Sequence, residues 1–455
     1  MLSLSLRSWI TLAQPLTIEL EIPFVPAHLE ELNFFYSTSD IQGCNVARIQ
    51  GRARFINEAG PSLMMLSIIT AIHKIVENLT KFLSPYIHNL LREICTLSAK
   101  WVNDTDPKIA PIVHKLQLTR EKISTSLSPR VLVPAVSTCF SQLLRNDRHT
   151  AIGPLLHILS DSFTAMSPEE RVHHQPYLIT FFLEALQFRS DSSEGLEVVA
   201  LVEGHIVDAL VALVLKLSES SFRPLYFKLF HWATNSESHK DRTITFYRLS
   251  SSIAEHLKGL FVLFAGHFLK NAAGLLDANN LAKTDTLYFG SGKLAKTKAD
   301  LLLQQILKTL HGVFMYDRQK FINKERFDVL MQPIVDQLEN TLGGVEGLQS
   351  RASSFVQPCI AEFAVAIADD ALWKDLNYQI LLKTSHNMPE VRLAALQTLC
   401  EVAHKLGEDF LPFLPETVPF LAERLEDEEE AVEKEAKRVV QEMEEVLGES
   451  LQKYF

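Results

Sequence analysis

The chain is poor in glycine, since its 455 residues include only 17, about half of what an average usage of roughly 7% would supply. The dipeptides Asn-Gly and Asp-Gly, which favour β-hairpin turns, do not occur. An all-β protein needs many such turns, so these absences argue against that fold class.

Cysteines are also few and widely separated. The five lie at Cys44, Cys95, Cys139, Cys359 and Cys400, with no C-x-x-C pair. This spacing excludes a zinc ribbon and a disulfide framework and fits a reducing compartment. No apolar run approaches the ~18 residues of a membrane-spanning helix, so we expect a soluble protein without a membrane partner.

Sequence motifs for catalysis are missing. G-x-S-x-G, H-E-x-x-H and G-x-G-x-x-G do not occur. The segment 290–293 superficially resembles a phosphate-binding loop, but Leu287 replaces its first glycine and Leu294 replaces the magnesium-binding Ser or Thr. The adjacent His173 and His174 would point about 100° apart on a helix and could not ligate one metal as an i, i+4 pair. We therefore predict no enzyme, cofactor, metal or small-molecule substrate.

Helical periodicity dominates the chain from Glu58 onward. Apolar residues recur every three or four positions, which places them on one face of a helix. Ser167, Pro168 and Glu170 have the spacing of a capping box at a helix start, and Ser84-Pro85 and Ser128-Pro129 offer similar openings. Residues 1–57 instead contain short alternating runs broken by prolines, and we predict an irregular, poorly ordered N-terminal segment there.

The clearest repeat signal lies near the C-terminal end. Pro389, Val391 and Arg392 form a Pro-x-Val-Arg turn at a predicted helix start, and Val391 is followed 41 residues later by Val432 in a matching position. A period near 40 with two helices per unit is typical of HEAT repeats. The alternative is a pair of ordinary helical hairpins in an unrelated bundle. We predict an all-α fold, an α-solenoid of HEAT-like helix pairs (an ARM/HEAT superhelix).

We divide the predicted array into three regions. Residues 58–220 are HEAT-like repeats, residues 221–345 are a helical region with a polar loop insertion near 278–298, and residues 346–455 are the C-terminal HEAT repeats.

The second region contains the most distinctive sequence. The segments Ser221–Ala233, Lys240–Leu249 and Ala254–Phe261, supported by Ala371–Lys383 and Leu447–Glu449, closely resemble the C-terminal part of the HEAT repeat-containing protein 1 family, also called the U3 small nucleolar RNA-associated protein 10 family. Members of that family are several times longer.

The resemblance implies a nucleolar, and hence nuclear, scaffold of the small-subunit processome. It implies a role in small-subunit pre-rRNA processing within the 90S pre-ribosome and a link to RNA polymerase I transcription. Implied partners are processome proteins, with pre-rRNA and U3 snoRNA as further candidates. A HEAT-type nuclear transport receptor, or another protein-interaction scaffold, stays open as an alternative.

Charge is unevenly distributed around a net value of −11. Residues 222–298 carry eleven Lys and Arg against five Asp and Glu, and such a surface can bind phosphates, bind an acidic protein or simply be solvated. Within the family resemblance, Arg242 could instead pair with Asp241 or Glu255. The candidate contact residues are Arg223, Lys228, Lys240, Arg242, Arg248 and Lys258.

Aromatic and aliphatic residues of this region form two helical stripes, which we interpret first as core. Stacking of their aromatic rings on unpaired RNA bases is the alternative. The first stripe contains Leu225, Leu229 and Trp232, and the second contains Phe246, Leu249, Ile253, Leu257, Leu260 and Phe264.

Overall fold

The computed structural model describes residues 63–451 apart from Asn103, Ser236, Ala368 and Glu449. These residues form helices and loops without any β-strand, and an isolated bridge joins Leu287 to Gly290. The all-α class is therefore confirmed. The predicted irregular segment 1–57 lies outside the described residues.

The contacts divide the chain into two compact units, the first ending at Gln175 and the second beginning at Pro176. The predicted boundary at 345 falls inside the second unit, as does that at 220. In the first unit, α2 packs against α3, α4 and α5, and α5 also contacts α3 and α4. Its helices are α1 (63–78), α2 (Ile87–Trp101), α3 (Ala110–Ser126), α4 (Pro129–Arg145) and α5 (Ile152–Ala165), while α6 (Pro168–Ala185) spans the division.

The second unit contains helices of unequal length joined mostly by short turns. They are α7 (Phe188–Asp191), α8 (Leu196–Val214), α9 (Glu219–Thr234), α10 (Asp241–Leu257), α11 (Gly259–Ala265), α12 (Leu269–Ala278), α13 (Lys293–Met315), α14 (Lys324–Val335), α15 (Gly344–Arg351), α16 (Gln357–Ile367), α17 (Asp370–Thr384), α18 (Pro389–Leu406), α19 (Leu414–Leu425) and α20 (Glu430–Leu447).

Helices of the second unit stack in two layers. In one layer α8, α10, α13, α16, α18 and α20 contact one another in that order, and in the other α12, α14, α17 and α19 do so. Helix pairs such as α17 with α18 and α19 with α20 join the layers. Each pair buries its apolar face against its neighbours, which is how HEAT repeats are built.

Helix starts follow the capping chemistry. The Ser167 amide donates to the Glu170 carboxylate (2.9 Å) and the Glu170 amide donates to Ser167 Oγ (3.2 Å), so the predicted capping box is confirmed. Helix α4 begins at Pro129 as predicted, with Ser128 as its N-cap. After Ser84-Pro85 a turn intervenes, and α2 begins only at Ile87.

The second apolar stripe is shorter than predicted. Phe246, Leu249 and Ile253 are buried, but Leu260 is 63% exposed. Helix α10 ends at Leu257 and Lys258 adopts a positive φ of 51°, so the helical register does not continue into α11. In the first stripe, Leu225 and Leu229 are buried while Trp232 is only half-buried.

The predicted loop at 278–298 is also shorter than expected, because α12 runs to Ala278 and α13 already begins at Lys293. Its first residues are not a solvated polar segment, since Asn279 and Asn280 are both 0% exposed. The Asn280 amide donates to the Asp336 carbonyl, and Asn340 donates to the Asn279 carbonyl. Buried amides therefore join this loop to the segment 336–340 that follows α14.

Among the described residues, no single helix combines the length and apolar character needed to cross a membrane; α11 and α12 would pass such a test only together, and they meet at an angle of 75°.

Candidate interaction surface

The six candidate basic residues do not form one patch. Arg248 and Arg242 are partly buried, and Lys240 is exposed but donates to the Tyr288 carbonyl, whereas Arg223, Lys228 and Lys258 are exposed on helix surfaces or between helices. The two groups have different surroundings.

Arg248 belongs to a buried ion-pair cluster. Its Nη1 donates to Glu203 Oε2 and to the Ala200 carbonyl, both at 2.8 Å. Arg189 donates two hydrogen bonds to the same carboxylate, from Nε (2.7 Å) and from Nη2 (2.6 Å). The Thr245 hydroxyl donates a further hydrogen bond to Glu203 Oε1 (2.5 Å). The cluster joins α7, α8 and α10.

Two features show that neighbouring residues are arranged to hold the Glu203 carboxylate in its ionised form. The Glu203 residue is 1% exposed. Burial alone would raise its pKa, but the hydrogen bond from Arg189 and the charges of Arg189 and Arg248 outweigh burial and lower the pKa below its usual value. Gly204 leaves room for the arginine, because a Cβ there would lie 3.0 Å from Arg248 Nη2. Arg248 is therefore a structural residue first.

Arg242 and Lys240 lie at the start of α10 and contact aromatic rings. The Arg242 guanidinium lies 5.1 Å from the centre of the Trp232 ring. Arg242 forms an ion pair with neither Asp241 nor Glu255, the two partners suggested for it, and the Asp241 carboxylate instead accepts from Lys298 at 2.7 Å.

Lys240 Nζ donates to the Tyr288 carbonyl (2.6 Å) and lies 4.9 Å from the Tyr288 ring centre. Its charge thus helps to hold the 279–292 loop against α10.

The exposed residues of α9 and of α11 and the exposed residue between α10 and α11 are named together the α9–α11 ridge, defined as Arg223, Lys228, Lys258, Leu260 and Leu263. Leu260 and Leu263 are 63% and 42% exposed. Lys228 forms no ion pair with a described residue. Lys258, between α10 and α11, lies 5.9 Å from the Tyr316 ring centre. The ridge combines cations with exposed leucines.

Aromatic packing holds α9 beside α11. The rings of Phe222 and Phe264 meet edge to face with centres 4.9 Å apart, and Tyr226 meets Phe261 in the same way at 5.5 Å. The Arg223 guanidinium lies over Phe264 at 5.3 Å while its Nη2 pairs with the exposed Glu219 at 2.7 Å. These contacts fix α9 and α11 relative to each other.

The residues of the predicted HEAT turn lie at the start of α18. Pro389 is the first residue of α18 and Val391 is fully buried. Arg392 reaches the segment before α20, where its Nη2 donates to the Asp427 carboxylate at 2.6 Å. Burial alone would raise the pKa of Asp427. The hydrogen bond from Arg392 and the other hydrogen bonds and charges around the carboxylate outweigh burial, so the pKa lies below its usual value. The turn is thus a link between adjacent helix pairs.

Sequence reasoning missed Glu203 and the exposed leucines. A signal for Glu203 was present, since it interrupts the apolar positions Val199, Val202 and Ile206 of α8; a charge on an apolar helix face requires a partner. Nothing local marks Leu260 as exposed, because its exposure depends on the break at Lys258.

Comparison with known proteins places these features in a family. The BP28CT (NUC211) domain model matches residues 170–322, a range that includes Glu203, Arg248 and the α9–α11 ridge. HEAT repeat-containing protein 1 of Homo sapiens is 48% identical over 392 residues, which are 86% of this chain and 18% of the human protein. The chain belongs to the HEAT repeat-containing protein 1 family.

Other members extend the comparison. The Danio rerio protein of the same name is 44% identical over 407 residues, covering 86% of this chain and 19% of that protein. U3 small nucleolar RNA-associated protein 10 of Candida albicans is 26% identical over 288 residues, covering 60% of this chain and 15% of that protein. The chain thus spans about a fifth of the length of its family relatives.

Solved structures of similar shape are karyopherins. Kap121p bound to Nup53p has a TM-score of 0.51 at 15% identity, covering 86% of this chain and 36% of Kap121p. Kap121p bound to RanGTP has a TM-score of 0.50 at 14% identity, covering 86% and 37%. These likenesses concern the fold alone, and they agree with HEAT-like repeats.

Proposed function

We propose that this chain is a non-catalytic scaffold in ribosome biogenesis, acting in the nucleolus of the nucleus. Its place would be the small-subunit processome, where it supports small-subunit pre-rRNA processing within the 90S pre-ribosome, with a link to RNA polymerase I transcription. The observation that carries the proposal is the 48% identity to HEAT repeat-containing protein 1, together with the weaker similarity to a U3 small nucleolar RNA-associated protein.

The arrangement of buried charges favours scaffolding over catalysis. Glu203 is held by two arginines, and Asp336 is paired with Lys283 at 2.6 Å and with Lys383 at 2.8 Å. Both carboxylates link neighbouring helices and are already fully paired. Groups used in this way stabilise a stack of helices, whereas a catalytic acid or base must face a substrate pocket.

The α9–α11 ridge is the surface we assign to partner contact. Its exposed leucines suit a protein partner, because apolar side chains gain by leaving water, and its lysines and arginine suit an acidic one. Binding of pre-rRNA or U3 snoRNA would use phosphate contacts and needs no leucine. We therefore favour an acidic processome protein as the partner of the ridge.

Crosslinking with mass spectrometry of the tagged chain in nucleolar extract tests the proposal. We expect crosslinks from the ridge to small-subunit processome proteins. The triple variant Arg223→Glu, Lys228→Glu, Lys258→Glu should lower pre-ribosome co-sedimentation at least about tenfold, because reversed charges would repel an acidic partner. Circular dichroism should show no loss of helicity. Arg248 is left unchanged because a carboxylate there would face Glu203.

A matched control reverses three exposed lysines elsewhere, Lys108, Lys216 and Lys374, and should co-sediment like the unaltered chain. Crosslinks mainly to RNA would overturn the assignment of the ridge to a protein partner. Absence of pre-ribosome components from the crosslinked set would overturn the scaffold proposal itself. The transport-receptor alternative has only the fold in its favour; Ran-dependent capture of cargo would support it.

A further inference from the structure

A second polar cluster lies between α18 and α20. Cys400 and His404 are four residues apart on α18 and therefore share a helix face, and Glu442 faces them from α20. Cys400 Sγ lies 3.2 Å from Glu442 Oε2, and His404 Nε2 lies 3.4 Å from the same oxygen. All three donor atoms are within 4.8 Å of one another.

The two separations from Glu442 Oε2 are close to those between ligands of one small metal ion. Tetrahedral zinc has bonds of about 2.3 Å to sulfur and about 2.0–2.2 Å to nitrogen and oxygen. Such a tetrahedron separates an oxygen from a nitrogen ligand by about 3.4 Å and from a sulfur ligand by about 3.6 Å. The observed oxygen distances, 3.4 Å to Nε2 and 3.2 Å to Sγ, require shifts of only a few tenths of an ångström.

Neighbouring residues orient the Glu442 carboxylate toward Cys400 and His404. Arg438, one turn before Glu442 on α20, pairs with Glu442 through Oε1, which leaves Oε2 to face Cys400 and His404. Cys400 is buried, while His404 is exposed at the edge of a cleft of about 440 Å³. Zinc binding would release the thiol proton of Cys400, because the thiolate is the form that coordinates the metal.

We propose that Cys400, His404 and Glu442 form a zinc-binding site with three protein ligands and a fourth position open to the cleft. A thiolate together with an imidazole selects zinc over magnesium or calcium, which prefer oxygen ligands. Bound zinc would link α18 to α20 and so stabilise the last two helix pairs. This site differs from the sequence prediction of no metal, because its third ligand lies 42 residues from Cys400 in the chain.

Metal titration of the full, untagged chain tests the proposal. After removal of metals with a chelator, we expect one equivalent of Zn²⁺ to bind and to raise the melting temperature. Bound Co²⁺ should show a thiolate-to-cobalt charge-transfer band. Cys400→Ser and His404→Ala should each weaken zinc binding at least about 100-fold, because loss of a direct ligand exceeds the 10- to 100-fold effect of an outer-shell partner.

His256→Ala is the matched control, since His256 is an exposed histidine on α10; it should bind zinc like the unaltered chain. His404→Ala removes an exposed side chain, so its loss of binding should occur with unchanged helicity. Failure to bind an equivalent of zinc, or a cobalt spectrum without the thiolate band, would overturn the site. Equal zinc affinity in Cys400→Ser, His404→Ala and the unaltered chain would do so too.

Discussion

At the scale of single residues, the role of a charged side chain depends on its partner. Arg223 and Arg248 belong to the same basic segment, but Arg223 lies on the surface whereas Arg248 donates to the buried Glu203 carboxylate. Removing one member of a buried ion pair leaves the other uncompensated, which costs more than the pair itself contributes. Glu203 is the centre of such a cluster and therefore the most sensitive single residue we identify.

We predict that Glu203→Gln destabilises the fold by about 3 to 5 kcal/mol, because Arg189 and Arg248 would both lose their countercharge. Urea unfolding at neutral pH, followed by circular dichroism, measures the change. Glu197→Gln, at an exposed position of the same helix, is the matched control and should change stability by less than about 0.5 kcal/mol.

The pH dependence of this effect has a definite sign. The pKa of Glu203 is lower in the folded chain than in the unfolded chain, so its stabilisation is complete above the unfolded value of about 4.3. The stabilisation is lost as pH falls through the folded value, where Glu203 is protonated and resembles glutamine. The difference between the variant and the unaltered chain should therefore shrink below about pH 4; a constant difference would contradict the ion-pair account.

At the scale of secondary-structure elements, helix boundaries follow from local chemistry. Ser167 and Glu170 satisfy each other's backbone amides at the start of α6. At the start of α4, Ser128 is the N-cap residue but its side chain forms no capping hydrogen bond. Two similar Ser-Pro sequences thus differ in whether the serine hydroxyl contributes.

We predict that Ser167→Ala destabilises the chain by about 1 kcal/mol, the usual cost of losing an N-cap hydrogen bond. Ser128→Ala is the matched control, because it removes an exposed N-cap serine without a capping bond, and it should cost clearly less. Thermal and urea unfolding of both variants would measure the difference. Equal destabilisation would show that the capping box contributes nothing of its own.

At the scale of the whole molecule, stability in the second unit is shared between neighbouring helices. Leu396 on α18 is 0% exposed, and α18 contacts α16, α17 and α20. In a repeat stack each unit contacts chiefly its neighbours, so damage spreads to adjacent units before distant ones. A buried charge in α18 should therefore affect the C-terminal helices first.

We predict that Leu396→Asp, which buries an unpaired charge at a cost of several kcal/mol, speeds hydrogen exchange in α16–α20 much more than in α8–α10. Leu382→Asp is the matched control, since Leu382 is 43% exposed on the adjacent α17. Hydrogen exchange with mass spectrometry resolves the two regions. Unchanged exchange and melting in Leu396→Asp would contradict the core position of Leu396.

Much of the fold follows from the sequence. Helical periodicity and the capping box are local patterns that the structure confirms, and α18 begins at Pro389 with Val391 buried. The exposure of an apolar residue near a helix end could not be predicted from the sequence, because exposure is not a local property. Lys258 shows this, since its positive φ separates α10 from α11 and turns Leu260 outward.

The sequence by itself determined that this chain is helical, repetitive and a member of its family, because periodicity, turn chemistry and identity are read along the chain. Only the tertiary structure decided which charges are buried in ion pairs and which side chains could share a metal. The physical reason is distance along the chain: Arg248 lies 45 residues from Glu203, and Glu442 lies 42 residues from Cys400. Stacking of helix pairs brings such residues together, and no local pattern records it.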